Sequence, residues 1–295
     1  MSSNIARDIS TLGFLSRSTT LRTMGHSQRA IDSALRAGTL LRPVRSWVAT
    51  PHAERDAVIA LLHGGVLTGA SALGTLGVWR GLDRSIHIQV PPNNPGRISR
   101  CPVPLTTFVP PRHLTTGVVK HWGEQRFSTR ALDWRASAVD ALTVFAHGTD
   151  LEQFVAAVDS ALYTRALRPS ELSALFHALP ARFQGALPLI NGRSESGTES
   201  IARLRLAAVA RSIEIQVPVG RHRIDILLDG WLAIEIDSEE WHSDSRVGDL
   251  RKSTWLTGRG FRVEHYDYQQ VMNEWLSVER AIREALAKPQ LSPLR

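Results

Sequence analysis

The chain has 295 residues, of which 43% are hydrophobic and 21% are charged, so it is long enough for two or three domains and too apolar for a disordered protein. The single cysteine, Cys101, excludes a disulfide framework and every zinc site that needs two thiolates. The first residues lack the charged start and apolar run of a signal peptide, so we expect a cytoplasmic protein.

The formal net charge of +7 is unevenly distributed along the chain. Residues 1–52 contain seven arginines and two aspartates, whereas residues 195–288 contain 13 basic and 16 acidic side chains. A basic segment attracts the phosphates of nucleic acid, and an acidic segment supplies carboxylates to a metal ion. We therefore divide the chain into a basic domain at 1–52, a central domain at 53–188 and an acidic domain at 195–288.

Residues 1–52 are predicted to form a winged helix. Apolar residues at helical spacing occur at about 5–12, 19–24 and 27–37, and two apolar pairs then flank a turn at 42–45. The polar face of the third helix and the turn carry the side chains expected to contact DNA, which are Gln28, Arg29, Ser33, Arg36, Arg42 and Arg45. The alternative is that these are ordinary solvated residues.

The order of these elements, with Gly25 at the turn before the third helix, resembles the N-terminal winged helix of the AbiEi family of antitoxins. This resemblance covers about 50 residues. It implies binding to double-stranded DNA, as in a repressor of its own gene.

The central domain holds an uncharged stretch at 57–79 that is long enough to cross a bilayer. Five glycines interrupt it, and Gly64-Gly65 predicts a break between two short helices, so we expect soluble core and no membrane contact. The rest of 53–188 is predicted to hold helices and a few strands. It contains no nucleophile elbow, phosphate-binding glycine loop or clustered metal-ligand spacing, so we interpret it as a mixed helical scaffold.

Acidic residues within apolar strands mark the third domain. A helix is predicted at 196–212, strands at 215–219, 221–228 and 232–237, a helix at 249–259, a strand at 261–266 and a final helix at 268–286. In the second and third strands, apolar residues alternate with polar ones, so the acidic side chains of each strand are expected on one face. Buried acids repel one another unless a cation compensates them. Mg²⁺ prefers carboxylate oxygens, and Mn²⁺ is an alternative, so the expected metal ligands are Asp225, Glu235 and Glu199.

A shared site depends on the register of the hairpin that joins the second and third strands. If Asp229-Gly230 formed a two-residue loop, Asp225 would face Ile234 and the two acids would diverge. A three-residue loop places Leu228 opposite Leu232 and brings Asp225 to Glu235. We predict the second arrangement.

An ordered set of residues in this domain resembles the PD-(D/E)XK nucleases, and most closely the uncharacterised domains related to very-short-patch-repair endonuclease. The set comprises Glu199, Ile224-Asp225, Glu235-Ile236-Asp237, Trp241-His242, Asp249 with Lys252, and Gly260-Phe261-Arg262-Val263. The resemblance implies a restriction-endonuclease-like mixed sheet flanked by helices, with Asp225 and Glu235 as metal ligands and Glu199 as a supporting acid.

This sequence departs from the general nuclease pattern at Asp237, which occupies the position where a lysine is expected. The repair-endonuclease branch shares this departure and uses nearby histidines, so His242 becomes the candidate general acid or phosphate contact. Lys252 is a second candidate for the missing positive charge. Asp237 is itself a further candidate catalytic residue. The structural alternatives are Glu199 as a helix N-terminal acid, Asp237 as a turn cap, His242 as a packed ring and Lys252 as a solvated helix residue.

Together these patterns predict a multidomain α/β protein of the α+β type that binds DNA and hydrolyses phosphodiester bonds with Mg²⁺. A transcriptional regulator or antitoxin with a catalytically silent nuclease fold is the main alternative, and a nuclease acting on RNA is a third. The sequence leaves the target site and the oligomeric state open.

Overall fold

The computed structural model describes residues 5–111, 117–127, 131–237 and 245–288. It is a multidomain α+β fold, as predicted. The chain divides into two compact units, one formed by Met1–Gly148 with Ser170–Pro180 and the other by Thr149–Pro169 with Ala181–Arg295. No helix among the described residues has both the length and the apolar character needed to cross a membrane.

The helices of the described residues are, in chain order, α1 (Ile5–Thr11), α2 (Ser18–Thr23), α3 (Gln28–Arg36), α4 (Arg55–Leu62), α5 (Gly69–Thr75), α6 (Ala138–His147), α7 (Leu151–Tyr163), α8 (Leu172–Ala178), α9 (Gly197–Leu206), α10 (Ser245–Thr257), α11 (Tyr268–Asn273) and α12 (Trp275–Ala287). The strands are β1 (Leu15–Arg17), β2 (Trp47–Ala49), β3 (Val66–Leu67), β4 (Ile86–Val90), β5 (Val118–Trp122), β6 (Ile213–Val219), β7 (His222–Leu228), β8 (Leu232–Asp237) and β9 (Arg262–Asp267). Short 3₁₀ segments lie at Leu105–Thr107, Pro169–Glu171 and Ala181–Leu189.

The first unit begins with the segment predicted as a winged helix. The three predicted helices are present as α1, α2 and α3, and Leu41 bridges Ala49 across the predicted wing. The Ser27 Oγ caps α3 by accepting a hydrogen bond from the Ala30 N–H at 3.2 Å. A small core holds the helices against the wing, and it is built from Ile9, Leu21, Ile31, Ala34, Leu40 and Val48. The sequence prediction missed β1, which pairs antiparallel with β2.

A segment more than 110 residues downstream holds the winged helix in place within the same unit. The Asp133 Oδ2 accepts hydrogen bonds from Ser16 Oγ at 2.8 Å, from the Arg17 N–H at 2.9 Å and from Thr20 Oγ1 at 2.6 Å. Its neighbour Trp134 donates its indole N–H to the Leu12 carbonyl at 2.8 Å. The carboxylate of Asp133 therefore acts as a tertiary N-cap for α2.

The rest of the first unit surrounds a three-stranded sheet. Its strand order is β3-β4-β5, with β3 antiparallel and β5 parallel to β4. The uncharged stretch 57–79 forms the end of α4, β3 and α5, and Gly64 with φ of +73° allows the turn after α4. The predicted break between two short helices is confirmed.

The second unit is built on the four-stranded sheet β6-β7-β8-β9. The strands β6, β7 and β8 are antiparallel neighbours, and β9 lies parallel to β8 after the crossover helix α10. One face packs on α10 through a core of Ile224, Leu227, Ala233 and Leu256. The helix α9 leads into β6, and an ion pair of 3.1 Å between Arg203 and Asp159 joins α9 to α7.

The structure agrees with the predicted hairpin register. Leu228 pairs with Leu232, and Asp229 and Gly230 both have positive φ, at 49° and 76°. The Trp231 N–H donates to the Leu228 carbonyl at 3.1 Å, which closes a turn of the type favoured between twisted antiparallel strands. Trp231 is therefore a third loop residue, and it shifts the pairing of the two strands by one position relative to a two-residue loop.

The predicted final helix at 268–286 is wrong in one respect, because it is two helices. Backbone torsions of −123° and 26° at Glu274 end α11 and begin α12. The Asp267 side chain caps α11 in a reciprocal capping box with Gln270, which favours a short separate helix directly after β9.

Candidate active site

One row of polar side chains crosses the sheet of the second unit. Glu235 on β8 pairs in register with His265 on β9. Continuing the β7–β8 register by one residue places Asp225 opposite Glu235, and the pairs on either side place Gln216 opposite Asp225. Paired residues share a face of a sheet, so Gln216, Asp225, Glu235 and His265 form one row, which we call the polar row.

The centre of the polar row is a pair of carboxyl groups, Asp225 and Glu235, which are close enough for each to affect the pKa of the other. The Asp225 Oδ2 accepts the Ile236 N–H at 2.9 Å, which fixes its orientation. The Glu235 side chain is only 5% exposed, and its Oε2 contacts the Nζ of Lys252 from α10. The structure therefore brings together the two predicted ligands and the predicted lysine.

The electrostatics of this pair favour protonation. Burial, then the negative charge of Asp225, raise the pKa of Glu235 to about 8, although Lys252 opposes this shift. Burial also raises the pKa of Asp225, again against the effect of Lys252. Two buried carboxyl groups with one lysine carry more negative charge than their surroundings stabilise.

Glu199 lies in the first turn of α9 and is buried. Its Oε2 accepts hydrogen bonds from Gln216 Nε2 at 2.8 Å and from the Glu195 N–H at 3.0 Å, while its own N–H donates to the capping Ser196. Burial, then the charge of Asp225, raise the pKa of Glu199 to about 7. Glu199 therefore forms hydrogen bonds at the N-terminus of α9, and the charge of Asp225 in the central carboxyl pair raises its pKa.

The other end of the polar row contains a histidine that the sequence prediction missed. His265 is exposed on β9, and its Nε2 lies 2.7 Å from Ser253 Oγ of α10. Its Nδ1 lies 3.7 Å from Asp237 Oδ1, a partly buried carboxylate at the end of β8. The predicted residue His242 lies outside the described residues.

The predicted DNA-contacting residues belong to the first unit. The four on α3, which are Gln28, Arg29, Ser33 and Arg36, are exposed, as is Arg45 on the wing. Arg42 is half-buried, 3.9 Å from Asp32, and Gln28 donates to the same aspartate at 2.9 Å. Arg17 stacks on Trp47 at 4.7 Å beside the wing. The exposed face of α3 therefore carries four of the predicted side chains, of which Gln28 is hydrogen-bonded to Asp32.

A divalent cation fits the donor set of the central carboxyl pair. The buried Glu235 Oε1 receives no hydrogen bond from the residues that the structure describes, and oxygen donors are those that Mg²⁺ prefers. Over the described ranges, no group of three or more His, Cys, Asp or Glu side chains is arranged to hold a metal.

Comparison with protein-family models and with curated proteins gives no match.

Proposed function

We propose that the protein is a DNA-associated, metal-dependent endonuclease of the PD-(D/E)XK type, which hydrolyses phosphodiester bonds with Mg²⁺ or Mn²⁺. The observation that carries this proposal is the β7–β8 register, which sets Asp225 opposite Glu235, with the Nζ of Lys252 against Glu235. The resemblance implies a mixed sheet flanked by helices, and the mixed sheet β6-β7-β8-β9 with α9 before it and α10 between β8 and β9 supports the proposal.

The cost of this arrangement argues against a purely structural role. Two acids in apolar strands are destabilising, and hydrophobic residues of similar size would stabilise the same sheet better. A nuclease fold that has lost its activity has no reason to keep both acids. Their retention beside a lysine, in a register that brings them together, supports catalysis over a silent fold.

The residues have distinct roles in the proposed reaction. Asp225 and Glu235 would hold the cation, with the Ile236 N–H orienting Asp225. When bound, the cation supplies Lewis acidity that activates water and neutralises charge on the scissile phosphate. Lys252 lowers the pKa of Glu235 and so favours the ionised form that can serve as a ligand. It also replaces the positive charge of the usual motif lysine, whose position Asp237 occupies.

Double-stranded DNA is the proposed substrate because of the winged helix. Its third helix presents two arginines, a glutamine and a serine to solvent, which is a side-chain set suited to bases and phosphates.

We further propose a cytoplasmic location, which the single cysteine supports.

The test is cleavage of supercoiled plasmid and of labelled RNA by the purified full chain in Mg²⁺, Mn²⁺ or EDTA. The variants D225N and E235Q keep the shape of each side chain and are expected to lose at least about 100-fold in cleavage rate. The matched control is E214Q, which changes an exposed glutamate on β6.

Metal-dependent cleavage of DNA that both variants lose would support the proposal, and cleavage of RNA alone would move the substrate to RNA. If the wild-type chain cleaves neither polymer but binds DNA in a salt-sensitive way, the regulator or antitoxin is the correct function. This alternative depends on the same exposed face of α3 and needs no ligand at Asp225.

A further inference from the structure

We propose that Gln216 is a positioning residue of the candidate active site, whose side-chain amide holds the Glu199 carboxylate beside Asp225. The inference rests on the proposed nuclease function and adds a residue that belongs to no motif in the chain. It depends on the backbone conformation of Gln216, on its hydrogen bond and on its place in the polar row.

The backbone of Gln216 is left-handed in the middle of a strand. Its φ is +54°, a conformation that is strained for a residue with a Cβ. The neighbouring pairs are Ile215 with Ile226 and Val217 with Ile224, so the register is the same on both sides of Gln216. The strained residue therefore does not correct the strand register, as a bulge would.

The strained conformation coincides with a specific contact. Gln216 is only 9% exposed, and its Nε2 donates to Glu199 Oε2 at 2.8 Å. The same oxygen accepts the Glu195 N–H at 3.0 Å, so one donor comes from β6 and the other from the residue before the N-cap of α9. A buried hydrogen bond to a carboxylate is stronger than one between neutral groups.

The position of Gln216 explains why this contact affects the site. Gln216 lies opposite Asp225 on the sheet, whereas Glu199 lies on α9, and the amide is the link between the helix and the polar row. Without it, the hydrogen bonds that remain on the Glu199 carboxyl group come from Glu195 and Ser196, both at the start of α9. The Glu199 carboxylate is then no longer held to β6, and its negative charge is no longer fixed in position relative to Asp225.

The experiment compares Q216G and Q216N with the wild-type chain. Glycine removes the amide and also relieves the φ strain, while asparagine tolerates this φ but is one methylene too short to reach Glu199. The control is R165G, which relieves a φ of +60° at an exposed turn after α7. Three quantities are measured: the melting temperature, the affinity for Mn²⁺ alone by calorimetry, and kcat and KM for plasmid cleavage.

We expect Q216G and Q216N to bind Mn²⁺ and to cleave DNA about 10-fold to 100-fold less well, with the loss in kcat and an unchanged KM. Q216G should melt at or above the wild-type temperature, as R165G should, while R165G keeps wild-type binding and cleavage. If Q216G does not fold, the Q216N measurements decide the question.

Wild-type Mn²⁺ binding and kcat in both folded variants would overturn the inference and leave the nuclease proposal intact. A loss that disappears when rates are corrected for the folded fraction would also overturn it. If the wild-type chain neither binds Mn²⁺ nor cleaves, the proposed function fails first, and the role of Gln216 fails with it.

Discussion

Replacement of Glu235 by glutamine should stabilise the protein, and the gain should grow with pH. The pKa of Glu235 is raised from its ordinary value of 4.5 to about 8, chiefly by burial. Between these values the native state retains a proton that the unfolded chain has released, so the free energy of unfolding falls as the pH rises. The slope is about 1.4 kcal/mol per pH unit and flattens near both pKa values, so the loss from pH 5 to pH 8 is about 3 kcal/mol. Glutamine does not titrate and escapes this loss.

The measurement is urea unfolding of wild type, E235Q and the control E214Q at pH 5 and pH 8, with EDTA present. The difference between E235Q and wild type should widen by about 3 kcal/mol across this range, whereas E214Q should follow wild type because its glutamate is exposed. Equal slopes for E235Q and wild type would show that Glu235 is ionised in the native state at neutral pH. The conclusion that burial keeps Glu235 protonated in the native state would then be refuted.

Two further predictions concern the winged helix. A Cβ on Gly13, at φ of +75°, would lie 2.6 Å from the Trp134 ring, whereas one on Gly25, at φ of +98°, meets nothing within 4 Å. In urea unfolding, G13A should therefore lose about 1–3 kcal/mol more than G25A, and equal losses would contradict the packing of Trp134 on the winged helix. The variant R36A should weaken DNA binding and lower the slope of log K against log salt by about 1, while R283A on α12 should leave both unchanged. An unchanged slope for R36A would remove Arg36 from the DNA interface.

Local periodicity, together with the assumption that the two acids share a site, predicted the hairpin at the centre of the site. The alternation of apolar and polar residues in β7 and β8 defines which face each acid takes. Parity then requires an extra residue in the loop if Asp225 is to meet Glu235. The observed pairing of Leu228 with Leu232 follows from this argument.

Contacts between distant segments were not predictable in the same way. His265 reaches the polar row through a parallel pairing of β8 with β9, and the register of a parallel pair is not set by a turn. The bond from Gln216 to Glu199 depends on a left-handed φ that glutamine does not favour. A polar residue in the apolar run around Gln216 was the available signal, and by itself it does not identify a partner.

The same limit applies to the first unit. The helices of the winged helix were predicted from their apolar spacing, but β1 has only three residues and shows no period. Asp133 carries no local sign that it caps α2, because it is separated from Arg17 by 116 residues. Tertiary caps of this kind satisfy the backbone without any nearby sequence pattern.

The interleaving of the two units has a consequence for folding during synthesis. The helix α7 belongs to the second unit but precedes α8, which belongs to the first. It is largely buried and packs against α9, which is completed about 40 residues later, while its Phe154 also contacts Phe183 of the 3₁₀ segment Ala181–Leu189. At ribosomal rates this delay is roughly 2 to 9 seconds, during which α7 lacks α9 as a native partner. Slow codons between α7 and α9 would lengthen that exposure and favour aggregation of the nascent chain.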